Sequence, residues 1–148
     1  MRSMKQSGRI SLLALGSLFC VIVVSALLLF SRESPSAAGD RFMAALINHD
    51  VDGLTKMSMM KGASEDDIRK QWDFSVNTAE KYYRFAYRIA GAAQSSDTTA
   101  SVKVFVAKDA DHPGAYEELM EVPLVKVNDE WKVDVRALSR DFFPCLPR

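Results

Sequence analysis

Polarity along the chain is broken first by residues 10–30, ISLLALGSLFCVIVVSALLLF, which carry no charged side chain. At about 1.5 Å of rise per helical residue this run reaches roughly 30 Å, the thickness of a bilayer's hydrocarbon core, so it is expected to form one transmembrane helix. Beyond it the pattern becomes amphipathic. Ser34 followed by Pro35 marks a helix start, with a hydroxyl cap and a pre-set φ. Ala38, Phe42, Ala45, Leu46 and His49 then recur at three- and four-residue spacing and form one apolar stripe. Asp50-Val51-Asp52-Gly53 turns the chain. A short helical piece is expected over residues 54–60, where Met57, Met59 and Met60 serve as adaptable core fillers. Ser64 caps a third helix whose first turn holds Glu65, Asp66 and Asp67, where the helix dipole favours anions. Ile68 and Trp72 share its buried face.

Near Tyr82 the apolar period drops from about 3.6 to about 2. Tyr83, Phe85, Tyr87 and Ile89 alternate with Arg84, Ala86, Arg88 and Ala90, which reads as a strand with one apolar face. A polar turn over 94–97 leads to a second strand alternating through Ala100, Val102, Val104 and Val106. Residues 108–114, KDADHPG, form a loop by composition. A long strand over 116–127 and a final one through Trp131, Val133 and Val135 are joined at Asn128-Asp129 as a hairpin. Asp134 and Glu121 are expected on the strand face opposite Trp131 and Val125. The ending DFFPCLPR, with two prolines and two phenylalanines, is expected to pack on the domain or on a neighbour instead of extending the sheet. The fold class is therefore α+β: one N-terminal transmembrane helix, then an outer domain of about three helices packed on a curved antiparallel sheet of about four strands. The boundaries read as a basic tail at 1–9, the membrane helix at 10–30, a soluble domain at 31–137 and a C-terminal tail at 138–148.

Charge gives the anchor a direction. Of 19 basic and 19 acidic residues, Arg2, Lys5 and Arg9 are the only charged side chains before residue 10, so the tail carries +3 and the remainder −3. Basic residues beside a span stay cytoplasmic, which places the N-terminus inside and the domain in the periplasm or outside the cell, on the inner (cytoplasmic) membrane of a diderm. A cleaved export signal is the alternative, but its apolar core runs to about 7–15 residues, shorter than this one, so a retained anchor is expected. No basic patch suits nucleic acid. The partners expected are the bilayer and other membrane-protein subunits. Within the span, Ala14, Gly16, Ser17 and Cys20 offer a small-residue face on which another helix can approach. Cys20 lies in the apolar run and Cys145 near the C-terminus, so they do not pair, and Cys145 is either a half-buried residue of the tail or a link to a partner.

The capped first helix followed by His49-Asp50-Val51-Asp52, the strand series and the closing VPLVKVNDEWKVDV resemble the nuclear transport factor 2-like superfamily over residues 34–137. The resemblance implies a cone-shaped α+β domain with a bent sheet around a pocket. A membrane-anchored member resembles the non-catalytic relatives, such as inner-membrane subunits of secretion and conjugation machines. The enzymatic branch, ketosteroid isomerase-like and dehydratase-like, places an Asp base and acid donors deep in the cone, and no Asp here matches that pattern residue by residue.

Candidate chemistry is sparse. Trp72, Tyr83, Phe85 and Tyr87 are the expected pocket lining, and Phe142, Phe143, Cys145 and Leu146 the expected contact surface of the tail. Asp40, Asp50, Asp52, Asp109 and Asp111 fall at element ends. Asp50-Val51-Asp52-Gly53 resembles the start of a calcium loop but lacks the later acidic ligands. Asp109, Asp111 and His112 sit in what reads as a turn, and two histidines without clustered cysteines do not supply a zinc site. His49 reads as a core-edge residue. No nucleophile–base set or phosphate loop can be assembled, and no catalytic residue, cofactor or metal is expected. The expectation is a non-enzymatic accessory or structural subunit of an inner-membrane complex. The alternatives are an anchored binder of a small apolar or lipid-like ligand, and an isomerase-like or dehydratase-like enzyme.

Overall fold

The computed structural model describes residues 33–108 and 116–148. The span expected at residues 10–30, with Ala14, Gly16, Ser17 and Cys20, lies outside the described residues, as do Asp109, Asp111 and His112. Among the described residues no helix is long and apolar enough to cross a membrane.

Helix α1, Pro35–Ile47, starts as its sequence requires: the Ser34 hydroxyl accepts from the Ala37 N–H, and Pro35 occupies the first turn. It ends two residues before the apolar stripe does. The Asp50 N–H reaches the Ala45 carbonyl and the His49 N–H the Leu46 carbonyl, the paired bonds of a Schellman ending. His49 therefore sits past the helix, at φ 54, in the left-handed position usually held by glycine. Asp50 then caps α2, Val51–Met57, by accepting from Gly53 N–H. Helix α3, Glu65–Asp73, is capped by Ser64 and runs on into a wider π-type turn, Phe74–Ala79.

Five strands follow or interleave: β1 Ser58–Met59, β2 Phe85–Gln94, β3 Thr99–Lys108, β4 Glu117–Val127 and β5 Glu130–Asp134. The sheet order is β1-β5-β4-β3-β2. The four long strands are antiparallel neighbours, as the alternation predicts. The fifth was not legible. Ser58 and Met59 belong to β1, which pairs parallel with Val133 and Asp134, and not to the helical piece expected over 54–60. Helix α2 stops because Ser58 turns extended, its hydroxyl donating back to the Leu54 carbonyl.

Strand alternation decides which face is buried. Phe85, Val102, Val104, Val106, Met120, Val122, Leu124, Trp131 and Val133 face the helices and form the core with Phe42, Met43, Leu46, Leu54 and Trp72. Val125 corrects one expectation: it shares the outer, solvent side of β4 with Glu121, two pleats away, while Trp131 is on the buried face. Between Ile89 and Gly91 the β2–β3 register slips, a bulge that bends the edge strand. The β4–β5 hairpin turns on Asn128 and Asp129 at φ 52 and 65, the two left-handed residues of a type I′ turn.

Candidate functional site

The resemblance implies a pocket on the helix-facing side of the sheet, and the side chains expected to line it pack in or against the core. Trp72 is fully buried. Its ring meets Phe42 edge-on at 5.9 Å, and its Nε1–H donates to Ser58 Oγ at 2.8 Å. Tyr83 and Phe85 lie 5.9 Å apart, and Phe143 packs edge-on against both, at 5.3 and 6.2 Å. The structure therefore brings Tyr83 and Phe85 together around a residue from the tail and sends Trp72 to helix α1. Tyr87 continues the same strand face but is only half-buried. Its hydroxyl lies 3.1 Å from the Asp40 carboxylate. Burial first, and the Asp40 carboxylate second, push the Tyr87 phenol up to about 12.

Among the described residues the buried polar side chains are Thr55, Ser58 and Ser75. Each is a hydroxyl bonded within the chain. Thr55 donates to the Val51 carbonyl and Ser58 to the Leu54 carbonyl. Ser75 Oγ lies 2.8 Å from the Gln71 carbonyl and 2.5 Å from the Cys145 carbonyl, sharing its proton between them. Among the described residues no buried side-chain donor or acceptor is left without a partner.

The tail is what closes the interior. Phe142 and Phe143 are 2% and 1% exposed, within the domain's own core. They are thereby removed from the contact surface expected at the C-terminus, because both rings lie in the core, Phe143 beside Tyr83 and Phe85. The Ser75–Cys145 bond and a 2.7 Å bond from the Arg148 N–H to Gln71 Oε1 fasten the last residues to α3. Leu146 packs partly against the core, whereas Cys145 is exposed, unpaired and at φ 53. The outer side of this segment forms a cleft of about 510 Å³ lined by Cys145, Leu146 and three arginines, Arg136, Arg140 and Arg148. The sequence reading passed over these arginines. Their interspersion with the apolar residues of RALSRDFFPCLPR was the available signal.

The loop acids have structural partners. Asp50 caps α2, and Asp52 pairs with Arg69. Among the described residues no group of three or more potential ligands gathers for a metal. On the outer face of the sheet, Arg88, Phe105 and Leu119 share one rung. The Arg88 guanidinium lies 3.9 Å over the Phe105 ring and is forked onto Glu117 at 2.7 to 3.1 Å. The Arg88 hydrogen bonds hold the Glu117 carboxyl below the usual carboxylate range. Leu119 beside them is 54% exposed.

No family model matches the chain, and no curated protein is significantly similar to it. Among solved structures it is similar to a SEC-C motif containing protein from Rhodopseudomonas palustris, at 16% identity over 74% of this chain and 84% of that one, with a TM-score of 0.49. It is also similar to a protein described as an NTF2-like transpeptidase from Campylobacter jejuni, at 16% identity over 68% and 97% of the two chains, with a TM-score of 0.48. A ketosteroid isomerase-like protein from Erwinia carotovora atroseptica matches at 14% identity over 66% and 85%, with a TM-score of 0.42.

Proposed function

We propose that the chain is a non-enzymatic accessory subunit of an inner-membrane complex, tethered through residues 10–30, whose α+β domain works by docking on other subunits. The observation that carries this reading is the apolar interior. Phe85, Trp72, Phe142 and Phe143 are buried, and among the described residues the polar side chains buried with them are hydroxyls already bonded to the chain. A domain built this way acts through its surface. The uncharged run ahead of it supports a tether, and the +3 tail supports an outward-facing domain. With the tail's rings inside the core, the apolar contact lies around Leu119 and Phe105, where an exposed aliphatic side chain sits beside an aromatic ring.

Extraction of the full chain in a mild detergent, followed by native electrophoresis, tests the proposal. The expected result is migration within a larger assembly, and Leu119→Glu is expected to release the chain from it. Migration as a lone monomer before any substitution overturns the reading.

A further inference from the structure

We propose that the cleft beside the C-terminal segment binds a phosphate group carried on an apolar body. Arg136, Arg140 and Arg148 line it, and its lining includes no acidic residue. All three residues are exposed, and none has an ion-pair partner among the described residues. Arg41, Arg69 and Arg88 by contrast each meet a carboxylate, and Arg84, unpaired like the cleft arginines, stands alone outside the cleft. Three cationic residues lining one concavity create a potential that favours an anion placed among them.

The donors are suited to phosphate. A guanidinium presents a planar fork that grips oxyanions through two parallel hydrogen bonds. Three forks offer more donors than the two oxygens of one carboxylate accept, whereas the oxygens of a phosphate spread in three dimensions. The rest of the cleft sets the second part of the ligand. Leu138, Phe143 and Leu146 supply apolar wall, and about 510 Å³ exceeds what a bare phosphate ion fills. Small-molecule sites commonly span about 300–1,000 Å³ with mostly apolar lining and a few convergent polar groups. The ligand is thus an amphiphilic phosphate, either a lipid headgroup with its proximal chains or a soluble organic phosphate. The cleft shares Val135, Leu138 and Phe143 with the core and opens outward beside the tail, away from Leu119.

Cys145 opens onto the same cleft and reports its occupancy. The full chain in phosphatidylcholine nanodiscs is labelled with a maleimide, and modification of the C-terminal peptide is followed by mass spectrometry. Hexyl phosphate is expected to slow labelling of Cys145 saturably, and hexanol to leave it unchanged. In Arg136→Gln/Arg140→Gln the half-saturating concentration should rise about tenfold or more, as the loss of charge-assisted bonds implies. Arg148→Gln should raise it less, and Arg84→Gln, outside the cleft, not at all. Unshifted melting temperatures identify variants that remain folded. A second arm omits hexyl phosphate and adds phosphatidylglycerol to the nanodiscs. Protection there identifies a lipid headgroup, and protection by hexyl phosphate alone a soluble ligand, both within the proposal. Labelling that neither probe slows, or protection equally lost in Arg84→Gln, overturns it.

Discussion

Gly39 shows how closely α1 approaches the sheet. A Cβ there would stand 2.8 to 3.0 Å from the side chain of Val102, itself fully buried. Alanine in mid-helix ordinarily gains up to about 1 kcal/mol over glycine. Here overpacking, which costs about 1–3 kcal/mol, opposes that gain, so Gly39→Ala is expected to destabilise the domain in urea titration. Ser58 is a second such position. Ser58→Ala strands the Trp72 Nε1–H in the core and is expected to cost about 1–3 kcal/mol. Adding Trp72→Phe removes the stranded donor, so the double variant should be more stable than the two single losses added together. Tyr87 ties stability to alkaline pH. Its folded value of about 12 is above the ordinary tyrosine value of about 10, so its contribution is complete below pH 10 and is lost as pH rises towards 12. Absorbance titration of tyrosinate should show a late-ionising phenol that is lost in Tyr87→Phe.

At the scale of elements, caps and strand alternation carried most of the information. Ser34, Asp50 and Ser64 each receive the backbone N–H that their side chains advertise, and β2 to β5 bury the residues that alternation marks. What stayed hidden depends on contacts distant in sequence. Nothing local in Ser58-Met59 announces a parallel pairing with Val133-Asp134, since the alternative, one more helical turn, has an equally apolar pattern. His49 keeps the helical spacing yet lies outside the helix, because the Schellman bonds end α1 two residues earlier. The candidate lining residues were legible as aromatics on one face. That Phe143 would occupy the space between them was not, since an aromatic tail reads the same whether it fills its own domain or a neighbour's. In the hairpin, Asn128-Asp129 already adopts the conformation that Asn-Gly prefers. Asp129→Gly removes a side chain from a left-handed position and is expected to raise the melting temperature by a few degrees, a gain of about 1 kcal/mol.

Across the whole domain, the core is assembled from both ends of the described chain. Phe42 from α1 and Phe143 from the tail are both fully buried, on opposite sides of all four long strands in sequence. Phe143→Ala is expected to cost about 3–5 kcal/mol by guanidinium denaturation, while Cys145→Ser two residues on should be close to neutral. A fully exposed ring at Phe143 would make that first substitution harmless, which is the result that discards this account of the tail.

The same arrangement dictates an order of events during synthesis. Residues emerge from the N-terminus onward, so α1 to β4 exist well before the rings that seal their aromatic interior. β1 must also wait for β5, which is encoded more than seventy positions later. Loop closures of that length are slow to reward the chain that makes them. The domain therefore cannot close on itself until β5 and the rings of Phe142 and Phe143 have emerged.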